Sequence, residues 1–120
     1  MVKVLLVEDN PLNMELILEI LQTQGFTVDT AGDGEKAIIM TGRSTYDLVL
    51  MDIALPGIDG IETTKKIRSK TQFKNVPFIA LTAFAMAGDK ERLLNSGFSE
   101  YISKPLDVHE FLKKMEKYRK

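Results

Sequence analysis

Asp52 ends the apolar run Leu48-Val49-Leu50-Met51, and the turn-forming residues Pro56, Gly57 and Gly60 follow it. A run of that kind reads as a buried strand that delivers one carboxylate into a loop at its carboxyl end. Three further runs end in groups of complementary chemistry. Val2 to Val7 ends in Glu8-Asp9, Phe78 to Leu81 ends in Thr82, and a short fourth run ends in Ser103-Lys104-Pro105. If these strands are parallel neighbours, three carboxylates, a hydroxyl and an ammonium gather at one edge of a sheet, where open α/β sheets hold their ligands. Carboxylates within a few ångströms of one another repel, so they take up a proton or hold a cation. Oxygen donors without histidine or cysteine favour a hard ion, and magnesium first, because it needs only one or two carboxylates with waters and a phosphate. Three carboxylates, a divalent ion and Lys104 sum to a charge near zero, so an added phosphoryl group would face the metal, Lys104 and the Thr82 hydroxyl. Such a set can promote phosphoryl transfer by positioning and charge neutralisation alone. Each acidic residue taken singly also reads as a helix cap, Thr82 as another, and Lys104 as a solvated turn lysine. Their coincidence at four strand ends is what no structural need explains.

Five alternations of strand and helical pattern must position these groups, which predicts an α/β fold with a mostly parallel sheet and helices on both faces. Asn10 caps the first helix, with Pro11 in its first turn and Gly25 just past its end. In that helix Leu16, Ile17, Ile20 and Leu21 form the expected core stripe, and Leu12, Met14 and Leu18 are a surplus that predicts an exposed apolar patch. Phe26 to Ala31 reads as the second strand, Glu35 to Arg43 as the second helix and Tyr46 to Met51 as the central strand. Asp59 with Glu62, and Asp107 with Glu110, have the spacing of capping boxes that open the third and last helices. The third helix is expected to run to about Lys70, with a polar connection from Thr71 to Pro77, and the fourth to about Ser96, ending at Gly97. Val108, Phe111, Leu112 and Met115 supply the apolar face of the last.

The chain has 120 residues, which predicts one domain over 1–120 with a single core. Its 16 basic and 17 acidic residues give a net charge of −1, so no overall positive field argues for direct DNA binding. Lys113, Lys114, Lys117, Arg119 and Lys120 at the carboxyl end are read as complementing the last helix dipole. The absence of cysteine removes disulfides, thiolate chemistry and the usual zinc sites. The single histidine, His109, has no partner for a soft-metal site and reads as a bystander facing solvent. No apolar stretch reaches the ~18 residues of a membrane span and no signal-like segment opens the chain, so a cytoplasmic location without membrane contact is expected.

Val4 to Asn10, Asp47 to Asp52, Pro56 to Gly60, Ala80 to Ala83 and Tyr101 to Pro105 together resemble the signature blocks of the receiver domain of two-component response regulators. The resemblance spans essentially the whole chain, and it implies a doubly wound, flavodoxin-like, five-stranded parallel sheet of order 2-1-3-4-5. By it, Asp52 is the phosphoacceptor, taking a phosphoryl group from a histidine kinase or a histidine phosphotransfer protein. Asp9, Asp52 and the backbone carbonyl of Ala54 would bind Mg2+ directly, and Glu8, which replaces the commoner aspartate, would act largely through water. Lys104 would contact the phosphoryl oxygens. Thr82 and Tyr101 are the expected switch residues, and the face of the fourth helix, fifth strand and fifth helix is expected to change and alter binding of a downstream protein target. Phe84 and Ala54 sit where the family tunes access of water to the acyl phosphate. Leu12, Met14 and Leu18 are expected to dock the histidine-bearing helix of the donor.

This reading makes the chain a phosphoacceptor that assists its own phosphotransfer and dephosphorylation rather than an enzyme. The state would be a monomer or a phosphorylation-dependent dimer. It would be a stand-alone switch, or a receiver excised from a hybrid sensor kinase, which the segment Asn10-Pro11-Leu12-Asn13 also resembles. The rivals are a binding-only pseudo-receiver and a small aspartyl-phosphate phosphatase; the second commonly needs a carboxylate two residues after its nucleophile, and position 54 is alanine. A flavodoxin-like cofactor binder lacks a Gly-rich phosphate cradle here.

Overall fold

Strand and helix alternate along residues 2–83 and 87–119, the part of the chain that the computed structural model describes. In order they are β1 (Lys3–Val7), α1 (Pro11–Thr23), β2 (Thr27–Ala31), α2 (Gly34–Arg43), β3 (Leu48–Asp52), α3 (Gly60–Arg68), β4 (Phe78–Thr82), α4 (Ala87–Asn95), β5 (Glu100–Ser103) and α5 (Val108–Glu116). Neighbouring parallel strands need a long crossover between them, and each helix supplies one. The sheet is parallel throughout, with order β2-β1-β3-β4-β5, as expected. The chain therefore reverses direction across the sheet between β1 and β3. Their carboxyl ends flank that reversal, and a crevice opens there.

β3 and β4 are apolar up to their last residues, Asp52 and Thr82, because both faces are covered, and all ten of their residues are buried. Alternate residues feed two separate cores. Leu5, Val7, Val49, Met51, Phe78 and Ala80 pack with Ala37 of α2, Ile67 of α3 and Leu93 of α4. Val4, Leu6, Leu48, Leu50, Ile79 and Leu81 pack with Ile17 and Leu21 of α1 and Phe111 and Met115 of α5. Burial of each such large side chain contributes about 1.5–3 kcal/mol.

The seat of α1 differs from the expected one. Ile17, Ile20 and Leu21 face the core as expected, joined by Met14 and Leu18, with Met14, Leu18 and Ile20 half-buried against it, whereas Leu16 is 40% exposed and Leu12 is 77% exposed. Both stripes have helical spacing, and they differ by a rotation of the helix that the sheet alone decides. Leu12 and Leu16, four residues apart, share the opposite face. On α5 the expected apolar Val108 is likewise 43% exposed, since it opens the helix above the core.

The helix starts are close to those the sequence predicts. The Asn10 side chain accepts from the Leu12 and Asn13 N–H groups, and Asp33, Asp59 and Asp107 each accept one N–H of the following turn. Gly25 takes φ +90 just beyond α1, a conformation that favours glycine. The connection after α3 is more ordered than its polarity implies. It holds a 3-10 turn at Thr71–Phe73 whose Phe73 is fully buried. Arg68 fastens this turn, donating to the Phe73, Lys74 and Gly97 carbonyls and lying 4.5 Å over the Phe78 ring.

Candidate functional site

Strand register brings the four chemical ends together. Val7 pairs with Met51, so Glu8 follows β1 where Asp52 ends β3; Asp52 pairs with Leu81, and Thr82 with Ser103. The chain then continues into Lys104, whose N–H donates to the Thr82 carbonyl at 2.8 Å, and the Lys104–Pro105 peptide is cis. Beyond β3 the Ile53 N–H donates to the Leu81 carbonyl and the Gly60 N–H to the Ile53 carbonyl, which folds the loop back over the strand end. Gly60 permits that return. A Cβ there would lie 2.2 Å from the Asp52 carbonyl oxygen.

Glu8 and Asp52 are 1% and 3% exposed, and Asp9 beside them is exposed. One carboxylate oxygen from each of the three falls within 4.8 Å of the others. Lys104 reaches into this group, with its ammonium 2.9 Å from Glu8 Oε1 and 3.2 Å from Asp52 Oδ2. The remaining oxygens have backbone donors: the Asn10 N–H lies 3.1 Å from Glu8 Oε2, and the Ala54 N–H lies 3.1 Å from Asp52 Oδ1. Burial pushes the Glu8 carboxyl above its ordinary range, with Asp52 adding to the push and Lys104 and the Asn10 N–H opposing it. Burial also disfavours the Lys104 ammonium, but Glu8 and Asp52 outweigh it and raise Lys104 above its ordinary value. The pocket therefore holds a firm cation beside a Glu8 carboxylate whose charge burial disfavours.

The donor set fits a hard divalent ion. Three carboxylates converge with neither nitrogen nor sulfur among them, and the exposed Asp9 leaves the cluster open to solvent. Ala54, whose carbonyl is the expected backbone ligand, lies in the exposed turn two residues after Asp52. Thr82 is buried at the end of β4. Tyr101 lies on β5 two residues before Ser103, half-buried against the α2–α3–α4 core, with Lys114 5.4 Å over its ring and donating to its carbonyl at 2.7 Å. Lys117 pairs with Glu100 at 2.8 Å, and the Tyr118 hydroxyl donates to the same carboxylate. Two of the carboxyl-terminal lysines thus have specific partners on β5, where the sequence implied only a helix-dipole role. His109 is exposed, as expected, and Phe84 lies outside the described residues.

Of the expected docking residues, Leu12 is on the surface, while Met14 and Leu18 are seated on the sheet. Leu16 is on the surface as well, and it borders a groove of about 320 Å³ that also has Lys104, Pro105 and Leu106 in its walls. Charged and hydroxyl groups at strand ends were readable from the apolar runs that they close. The closeness of Gly60 to the Asp52 carbonyl and the Asn10 N–H to Glu8 was not, because both depend on how a loop returns. No described helix is long and apolar enough to cross a membrane.

A family model for the response regulator receiver domain matches residues 4–116. The polar-differentiation response regulator DivK of Brucella anthropi is 39% identical over 115 residues, covering 96% of this chain and 94% of that protein. Among solved structures, the receiver domain of a sensor histidine kinase from Pseudomonas aeruginosa PAO1, with a magnesium ion coordinated in its active site cleft, is 38% identical with a TM-score of 0.88, over 98% of this chain and 96% of that one. The chemotaxis response regulator CheY4 of Vibrio cholerae superimposes with a TM-score of 0.93 at 28% identity, over 98% of both chains. With five parallel strands in the order 2-1-3-4-5 and an acidic crevice at the β1–β3 reversal, the chain belongs to the response regulator receiver domains of two-component signalling.

Proposed function

We propose that Asp52 accepts a phosphoryl group from a phosphohistidine in a magnesium-dependent reaction, and that residues 1–120 work as one receiver module. The observation that carries the reading is the meeting of Glu8, Asp9 and Asp52 within 4.8 Å, with the Lys104 ammonium 3.2 Å from Asp52. In the transfer, the donor N–P bond breaks while an O–P bond forms to an Asp52 oxygen. The imidazole nitrogen keeps the electron pair, and the aspartate becomes an acyl phosphate. Magnesium held by Asp9, Asp52 and the Ala54 carbonyl, with Glu8 acting largely through water, would supply charge neutralisation for the transferred group. The chain's own part is positional. The Ala54 N–H fixes one Asp52 oxygen, Lys104 offsets charge on the phosphoryl oxygens, and the buried Thr82 hydroxyl donates to one of them after transfer.

Thr82 and Tyr101 lie on adjacent strands at this edge, which supports a switch in which Tyr101 turns inward behind Thr82 and the face of α4, β5 and α5 changes toward a downstream protein. The donor is a histidine kinase or histidine phosphotransfer protein. Its helix docks on Leu12, with Leu16 beside it and Met14 and Leu18 fixing the seat of α1. Output runs through protein binding in the cytoplasm rather than through DNA, and the chain assists its own transfer and hydrolysis without turning over a separate substrate.

Phosphoramidate, whose P–N bond imitates phosphohistidine, tests the chemistry. The protein with Mg2+ is expected to gain one phosphoryl group that hydroxylamine removes, as it removes acyl phosphates, and to gain none in EDTA. A folded protein that gains none with Mg2+ contradicts the reading and leaves a binding-only pseudo-receiver.

A further inference from the structure

The residue at position 8 has more than its charge to offer. An aspartate there would end one methylene earlier, whereas the Glu8 side chain reaches far enough to bond on both sides. Oε1 accepts from the Lys104 ammonium at 2.9 Å, and Oε2 accepts from the Asn10 N–H at 3.1 Å. Glu8 is 1% exposed, so its carboxylate meets little bulk water, while the Lys104 side chain keeps 21% of its surface open. Lys104 lies slightly closer to Glu8 than to Asp52, 2.9 Å against 3.2 Å. One oxygen each of Glu8, Asp9 and Asp52 still lies within 4.8 Å of the others, so the hold on Lys104 leaves the acidic cluster intact.

Resting on the phosphoacceptor reading above, the geometry points to Glu8 as the positioning residue for Lys104. Its longer side chain holds the ammonium against the Asp52 carboxylate, anchored from behind by the Asn10 N–H. Beside its water-mediated part in the metal site, Glu8 acts on phosphoryl transfer through Lys104, and at saturating metal that is the part that remains. A mobile lysine loses rotamer freedom whenever it must be placed in the reaction, and a carboxylate that holds it beforehand removes that cost. The hold does not rely on Asp52 alone, because the second partner of Lys104 is Glu8, just past β1, and not the reacting residue. The Asn10 that supplies the anchoring N–H is the same residue that caps α1, so the position of Lys104 is tied to the start of that helix.

Two readouts on the full chain test this. The first uses no metal and no phosphodonor: the side-chain ammonium resonance of Lys104, assigned by its loss in Lys104→Ala. It is expected to move or vanish in Glu8→Gln and to stay in place in Asp9→Asn. An unmoved resonance in Glu8→Gln overturns the inference. The second is a double-mutant cycle on the rate of phosphorylation by acetyl phosphate at saturating Mg2+, where metal affinity no longer enters. Glu8→Gln is expected to slow the reaction about tenfold with Lys104 present and less than about twofold in the Lys104→Ala background, as residues acting in one unit do. Equal factors in the two backgrounds overturn the inference, because Glu8 would then act through the metal or the fold. Glu8→Gln keeps the side-chain shape and removes one of three repelling charges, so the variant retains its fold. A parent protein that takes no phosphoryl group sinks the phosphoacceptor reading instead, and the ammonium resonance then decides the Glu8–Lys104 hold by itself.

Discussion

Each carboxylate oxygen of Asp52 has a defined neighbour, the Ala54 N–H on one and the Lys104 ammonium on the other, so the residue enters any reaction already oriented. That orientation depends on a group with no side chain. Because a Cβ at position 60 would sit 2.2 Å from the Asp52 carbonyl and 2.8 Å from the Ile53 Cα, Gly60→Ala must displace the backbone that carries the site. The substitution is expected to cost about 1–3 kcal/mol in urea unfolding, as overpacking does, and to slow phosphorylation of the folded fraction as well. A loss of stability with an unchanged rate would separate the loop's position from the chemistry. At this scale the sequence showed which groups gather at the strand ends and hid what holds them. Glu8, Asp9, Asp52, Thr82 and Lys104 stand out because charged or hydroxyl groups end apolar runs, whereas the contacts of Gly60 and of the Asn10 N–H arise only when distant segments meet.

Helices and strands were legible by period, and their rotation and fastening were not. The sequence placed Leu16 in the α1 stripe with Ile17, Ile20 and Leu21, and only the sheet beneath put Met14 and Leu18 there in its stead. The choice is testable by pairing two variants. Leu16→Ala is expected to change stability by less than about 0.5 kcal/mol, as exposed positions do, and Ile17→Ala to cost about 2–5 kcal/mol. Under the docking proposal, Leu16→Ala also slows transfer from a phosphohistidine protein while leaving the rate with phosphoramidate unchanged.

The edge strand β2 shows a second fastening that periodicity cannot reveal. Tyr46, just before β3, is buried and donates its hydroxyl to Asp29 of β2 at 2.8 Å, with Lys3 5.1 Å over its ring. Burial and the Asp29 carboxylate push the tyrosine from its ordinary 10 to about 12. Since the folded value lies above the unfolded one, this contribution is complete below pH 10 and is lost as pH rises through 12. Tyr46→Phe is expected to cost about 1 kcal/mol at neutral pH. The gap to the parent should close across that alkaline window in unfolding experiments, and a gap that stays constant to pH 12 would contradict the assignment.

For the molecule as a whole, the alternation of apolar runs with helical patterns was enough to give the layers and, through the resemblance, the strand order. It could not give the acidic crevice as an electrostatic object, because Glu8 and Asp52 lie 44 positions apart in the chain and Lys104 a further 52 beyond. Their proximity costs the fold repulsion that a bound cation would relieve, so ligand binding and stability are linked. At Mg2+ about a hundred times its dissociation constant, the parent is expected to gain about 2.7 kcal/mol of unfolding free energy. Asp9→Asn should gain less at the same concentration. Urea curves with and without Mg2+ measure both, and equal gains would exclude Asp9 from the metal site.

The central claim is that Asp52 is the one residue that takes the phosphoryl group. Intact mass followed by peptide mapping, after incubation with Mg2+ and acetyl phosphate, measures it most directly when Asp52→Asn and an EDTA control are run alongside. The account predicts a single phosphoryl adduct in the parent, located at Asp52 and absent from both controls. An adduct that survives in Asp52→Asn, or that forms equally in EDTA, would contradict it.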